Sequence, residues 1–288
     1  MNNQERALSF FCGSEQLIGI LHSPEQVCGT GLLIVVGGPQ YRVGSHRQFV
    51  LLARFLAEHG IPVFRFDYRA MGDSDGEAVD FENVNQDIAA AMDCFLKEMP
   101  GLEKLVIWGL CDAASAALFY GYQDARVSGL ILLNPWVRTD VSIAKTYLKS
   151  YYRQRLFSAE FWKKIFVGKL NVRQSIDSLV QLIKKSRSTE KSTANKTTAG
   201  IDKNMSLPDR MACGLRLFEK PVFIILSGNN DYVADEFRHL IGESEQWQAL
   251  MSRHDIEKKE FPEANHTFSK REWRNQVEQW TLQWVKSL

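Results

Sequence analysis

Trp108-Gly109-Leu110-Cys111-Asp112-Ala113-Ala114-Ser115 is the stretch whose reading decides the fold. The apolar run before it, Lys104-Leu105-Val106-Ile107-Trp108, has the length and branching of a short buried strand. The Ala-rich run after it, Ala113 to Tyr122, reads as a helix. A strand, a Gly, one residue, a nucleophile and a helix make a sharp turn that pushes the middle side chain into the open. Here that side chain is Cys111. A thiolate is a good nucleophile near neutral pH, and a helix N-terminus is expected to lower the pKa of its thiol. The usual pattern is Gly-x-Ser-x-Gly, so Cys111 replaces Ser and Ala113 replaces the second Gly. Ala is small enough for the helix to lie close to the strand. The plainer reading of the octet is a buried Cys packed as a small hydrophobe.

Two downstream stretches bear on the choice. Pro221-Val222-Phe223-Ile224-Ile225-Leu226-Ser227-Gly228-Asn229-Asn230-Asp231 is an apolar strand, then Gly, then an Asp in the following loop. Phe261-Pro262-Glu263-Ala264-Asn265-His266-Thr267-Phe268-Ser269 follows a strand-like run and precedes a helix over Glu272 to Val285. Nucleophile, acid and His in that chain order is the arrangement α/β-hydrolases require. An Asp and a His in consecutive strand-end loops of a parallel sheet can meet beside the Cys111 turn. His266 then serves as base to Cys111, and Asp231 orients the ring. Read singly, Asp231 is a helix N-cap before Val233 to Leu240, and His266 is a surface-loop His. Asp231 can do both jobs. The other His residues sit in less telling places: His22 and His254 at strand edges, and His46, His59 and His239 in helical patterns.

An acyl-transfer site also needs backbone donors for the oxyanion. One is the N–H of the residue after the nucleophile, Asp112. The strand Gly31 to Val36 ends in Gly37-Gly38-Pro39-Gln40. This turn resembles the His-Gly-Gly-Pro-Gly turn of proline-aminopeptidase-like α/β-hydrolases, with Val36 in place of the His. Gly38 is the candidate second donor, since Pro39 has no N–H. Gln40 is a candidate substrate contact. The Asp112 carboxylate has two open readings: a group facing the substrate, or a cap on its own helix. Its charge beside Cys111 also disfavours a thiolate. Asp67 and Asp73 read as turn residues.

The order of elements predicts an α/β fold. Ala7 to Cys12 and Gln16 to His22 flank Gly13-Ser14 as a hairpin. A helix is expected over Ser45 to His59, capped by Ser45, and a strand over Pro62 to Asp67. A helix over Glu82 to Met99 and a strand over Val127 to Leu133 flank the Cys111 turn. Such alternation gives a mostly parallel sheet, here of eight strands, with helices on both faces. Ligands of these sheets lie at the carboxyl ends of the strands. Gly38, Cys111, Asp231 and His266 all fall there. Residues 1–137 and 221–288 make the core on this reading. Residues 138–220 lack strand signals and read as an inserted helical cap, with a flexible segment near 186–204.

The insertion carries a net charge of +11 and the rest of the chain −10. Aromatics cluster in it at Tyr147, Tyr151, Tyr152, Phe161, Trp162 and Phe166. This pairing suits an anionic acyl donor, such as a coenzyme A or carrier-protein thioester, or peripheral contact with an anionic membrane surface. Solvated charges over a cap core are the plainer reading. An overall charge of +1 argues against a nucleic-acid partner. No apolar run reaches the ~20 residues of a membrane span. The first residues lack the pattern of a secretory signal. Five Cys without metal-type spacing point to a reduced, cytoplasmic protein with no metal and no cofactor.

The chain resembles the exosortase A system-associated hydrolases of type 1, a bacterial branch of the α/β-hydrolases. The resemblance rests on Gly37 to Phe49, Phe66-Asp67-Tyr68-Arg69-Ala70-Met71-Gly72-Asp73-Ser74, Gly109 to Ser115 and Asn265 to Ser269. It covers nearly the whole chain, the cap least clearly. It implies a hydrolase linked to bacterial exopolysaccharide production, and it names no substrate. Together the residues predict an esterase or thioesterase with a Cys111–His266–Asp231 triad, acting on a small acyl ester or thioester. Two alternatives stay open: an acyltransferase that modifies a polysaccharide precursor, and a non-catalytic scaffold of the same fold that binds a ligand.

Overall fold

The structure is a computed structural model that describes residues 4–38, 40–137, 205–228 and 231–288. The chain divides into two units, Met1–Val137 with Pro208–Leu288, and Arg138–Leu207. The first is described here. The expected cap aromatics and the segment near 186–204 lie outside the described residues, as do Pro39, Asn229 and Asn230.

Eight strands form one sheet in the order β1-β2-β4-β3-β5-β6-β7-β8. They are β1 Gln4–Cys12, β2 Glu15–Ser23, β3 Thr30–Val35, β4 Val63–Phe66, β5 Lys104–Leu110, β6 Val127–Leu133, β7 Val222–Ser227 and β8 Ile256–Phe261. The β1–β2 hairpin joins antiparallel through β2 to β4. Every later pairing is parallel. The burial of each strand follows its place. Strands β3 to β7 are nearly or wholly buried and mainly apolar, with Arg65 a charged exception in β4, as suits strands covered on both faces. The edge strands β1 and β8 are largely exposed.

The described helices, numbered in chain order, are α1 Gln48–Glu58, α2 Asn85–Glu98, α3 Asp112–Gly121, α4 Leu207–Leu217, α5 Tyr232–Glu243, α6 Glu245–Met251 and α7 Arg271–Ser287. Helix α1 contacts α7, and α2 contacts α3. Aromatic contacts tie helices to strands. Phe49 of α1 meets Trp108 of β5 edge-on, Phe95 of α2 meets Phe64 of β4, and Trp284 of α7 stacks on Phe223 of β7.

One expectation needs correction. Ser45 does not cap α1. A short 3-10 turn spans Ser45–Arg47, and α1 starts after Arg47, whose φ of 61° breaks the helix there. His22, read at a strand edge, is next to the last residue of β2. It is 1% exposed, and its Nε2 accepts a hydrogen bond from Arg65 Nε at 2.9 Å. Residues 207–217, which the sequence reading put in the helical insertion, form helix α4.

All six described non-glycine residues with positive φ lie beyond carboxyl ends of parallel strands: His46 and Arg47 after β3, Ala70 after β4, Cys111 after β5, Asn134 after β6 and Phe268 after β8. Sparsely populated backbone conformations of this kind cluster at functional sites. The sequence reading placed the site at that same edge.

Candidate active site

The site starts at the β5–α3 turn. Cys111 has φ 65° and ψ −124°, a region that side chains rarely occupy. It is held there on both sides. Its N–H donates to Leu133 of β6 at 2.8 Å, and its carbonyl accepts from Ala114 and Trp136. Helix α3 passes so close behind that a Cβ on Gly109 would sit 2.6 Å from the Ala113 carbonyl. Only Gly at 109 permits this approach, so Ala suffices at 113.

Asp231 and His266 come together. His266 Nδ1 lies 2.9 Å from Asp231 Oδ2. The same oxygen accepts from Ser227 Oγ, and Oδ1 accepts from the Val233 N–H at 3.1 Å. Asp231 therefore caps α5 and pairs with the ring at once. Burial works to raise its pKa. The bonds from His266 and Ser227 outweigh this, and the carboxyl sits below its ordinary value. Asn134, at the end of β6, braces the pair. Its Oδ1 accepts from the Ser227 N–H at 2.8 Å and its Nδ2 donates to the His266 carbonyl at 3.1 Å. The Gly228 N–H adds a bond to the Ala264 carbonyl at 3.0 Å. Among the described residues, no hydrogen bond joins the Cys111 sulfur to the His266 ring.

The thiol itself departs from expectation. Burial, and next the Asp112 carboxylate, push the Cys111 pKa up to about 12. These effects exceed that of the helix N-terminus, so the thiol keeps its proton at neutral pH.

Asp112 and Gly38 also meet, in an unforeseen way. The Gly38 N–H donates to Asp112 Oδ2 at 2.8 Å, and the Ala113 N–H donates to Oδ1 at 3.0 Å. Thus Asp112 caps its own helix, as one of its two readings held, and it also occupies Gly38. Gln40 turns into its own loop, where its Oε1 accepts from the Ser45 N–H at 3.1 Å.

The loops that flank Gly38 are pinned by groups the sequence left as plain turn residues. Asp67 is fully buried and accepts from the Arg42 N–H at 2.5 Å and from the Asp73 N–H at 3.2 Å. The Arg42 guanidinium pairs with both Asp67 and Asp73. Asn134 and Ser227 were missed altogether. One signal could have found them, a lone polar residue closing an apolar strand.

A family model of the alpha/beta hydrolase fold matches residues 31–272. The chain belongs to the α/β-hydrolase fold family. No curated relative matches this α/β-hydrolase by sequence. Among solved structures it is similar to an esterase of Pyrococcus furiosus, with a TM-score of 0.65, 14% identity, and coverage of 99% of this chain and 91% of that one. It is also similar to the dienelactone hydrolase of Anabaena variabilis, with a TM-score of 0.61, 14% identity, and coverage of 100% and 99%. A third similar structure is Est1E of Butyrivibrio proteoclasticus with bound ferulic acid, with a TM-score of 0.61, 15% identity, and coverage of 98% of each chain. At these identities the likeness speaks to the fold. Among the described residues, no group of three or more His, Cys, Asp or Glu could hold a metal ion, and no helix is long and apolar enough to cross a membrane.

Proposed function

We propose that this α/β-hydrolase cleaves carboxylic esters or thioesters through an acyl-enzyme on Cys111. The observation that carries the reading is the strained Cys111 turn after β5, on the same sheet edge as the Asp231–His266 pair, whose residues follow β7 and β8, two and three strands away. A turn under strain persists where its surroundings hold it, and such sites are commonly functional.

The raised thiol pKa sets the order of events. With the proton still on sulfur, His266 takes it as the sulfur attacks the acyl carbon, so the base works in step with attack. Asp231 keeps Nδ1 of the ring protonated and leaves Nε2 to accept. The tetrahedral intermediate collapses, and the leaving alcohol or thiol departs with the proton that His266 returns. Water then gives a proton to His266 and attacks the acyl carbon, which frees the acid and restores the Cys111 thiol. The Gly38 and Asp112 N–H groups are the donors proposed for the oxyanion.

The net +11 of residues 138–220 supports an anionic donor recruited by a cap, such as a coenzyme A thioester. The likeness of Gly37 to Phe49 and Gly109 to Ser115 to the exosortase-associated hydrolases supports a place in exopolysaccharide production. A sugar hydroxyl in place of water would make the same chemistry an acyl transfer.

Turnover of short-chain p-nitrophenyl esters and acyl thioesters tests the proposal. Cys111→Ala is expected to lose all turnover, and Cys111→Ser to keep a small fraction. Wild-type turnover in Cys111→Ala would overturn it.

A further inference from the structure

The Asp112 carboxylate lies in a cradle that fits it closely. Gly38 donates to one oxygen and Ala113 to the other. The backbone N–H of Asp112 adds a third favourable contact. A Cβ on Gly37 would fall 2.1 Å from Oδ1 and 2.7 Å from the Leu110 carbonyl. Gly at 37 therefore leaves room for the carboxylate and for little else. Several backbone N–H groups converging on one carboxylate, beside a nucleophile and at a helix N-terminus, are the elements of an oxyanion hole. Here the occupant is a side chain of the protein itself. The Gly38 N–H is the donor that the proposed acyl transfer needs.

We propose that Asp112 is a built-in plug of the oxyanion site, and that a substrate enters productively only as this carboxylate swings out. This rests on the acyl-transfer reading above. In the plugged state a carbonyl oxygen has no free Gly38 donor. The burial that raises the Asp112 carboxyl also favours its departure toward solvent or toward a substrate group. The plug thereby makes Asp112 a specificity-determining residue. Substrates able to engage the displaced carboxylate turn over, and neutral esters without such a group turn over slowly.

Two variants separate the plug from its charge. Asp112→Ala empties the cradle. Asp112→Asn keeps an oxygen acceptor of the same shape there and removes the charge. On p-nitrophenyl acetate, kcat/KM is expected to rise about tenfold in Asp112→Ala, as a charge-assisted bond no longer competes for Gly38. It is expected to rise less in Asp112→Asn. A second measurement does not depend on catalysis. Acetate should raise the thermal midpoint of Asp112→Ala by refilling the cradle, and leave the wild-type midpoint unmoved. Equal responses to acetate in the two proteins would overturn the plug. So would a fall in the ester rate of Asp112→Ala while Cys111→Ala abolishes that rate. If Cys111→Ala has no effect on the ester rate, the acyl-enzyme reading fails instead, and the acetate measurement still decides what the cradle holds.

Discussion

Cys111 pays for its position in backbone strain, and that strain is measurable apart from chemistry. Its φ of 65° and ψ of −124° suit Gly and few other residues. Cys111→Gly and Cys111→Ala both delete the thiol, and only the Gly variant relieves the backbone. Urea unfolding is expected to find Cys111→Gly more stable than Cys111→Ala by about 1 kcal/mol, although Gly is the more flexible residue when unfolded. Equal stabilities, or a more stable Ala variant, would show that the turn is unstrained. The presence of this turn was legible in the sequence, because strand, Gly109 and Ala-rich helix are local signals. The state of the thiol was not. A helix N-terminus can be read from adjacent residues, whereas the burial that pushes the pKa to about 12 depends on distant packing. The Asp112 carboxylate shows the same limit. Its neighbour Ala113 is local, and its partner Gly38 lies 74 positions away.

Elements meet at the site through short polar stitches at strand ends. Asn134 directly follows β6, binds the last residue of β7 at Ser227, and holds the loop of His266. It is fully buried, with φ 44°, a conformation Asn tolerates better than most residues. Asn134→Ala strands the Ser227 N–H and the His266 carbonyl without partners. It is expected to cost about 2 kcal/mol of stability, and to lower kcat more than it raises KM, because the His266 loop loses its anchor. Alkylation of Cys111 by iodoacetamide should change little in the same variant. A kcat equal to wild type would mean that Asn134 serves only the fold. Strands and helices themselves were legible because their apolar periods are local and strong. The start of α1 was misread, since Ser45 resembles an N-cap and the left-handed His46 and Arg47 leave no local trace.

Across the whole molecule, the parallel strands carry the site, and the antiparallel hairpin β1–β2 extends the sheet on the side away from it. That hairpin contributes a buried His. Burial and the neighbouring Arg65 lower the His22 pKa from 6.5 to about 4. A group with a depressed folded pKa stabilises the fold above its unfolded pKa, and that stability is lost as pH falls. The window here runs from 6.5 down to about 4, with a loss of about 3 kcal/mol at most. His22→Gln keeps an acceptor for Arg65 and cannot charge, so its stability should fall less across that window. A pH dependence identical to wild type would remove His22 as the cause. The mostly parallel eight-stranded sheet was legible from the alternation of elements, and the buried His22–Arg65 pair was not, since its partners are 43 positions apart. The central claim concerns a covalent bond on one sulfur, and intact-protein mass spectrometry reads it directly. The full chain mixed with an acetyl thioester and quenched in acid within the first turnovers should gain the mass of one acetyl group, mapped by peptide digestion to Cys111. Cys111→Ala should gain none. An acetyl group found on another residue, or a wild-type chain that turns over the thioester and never carries one, would contradict the account.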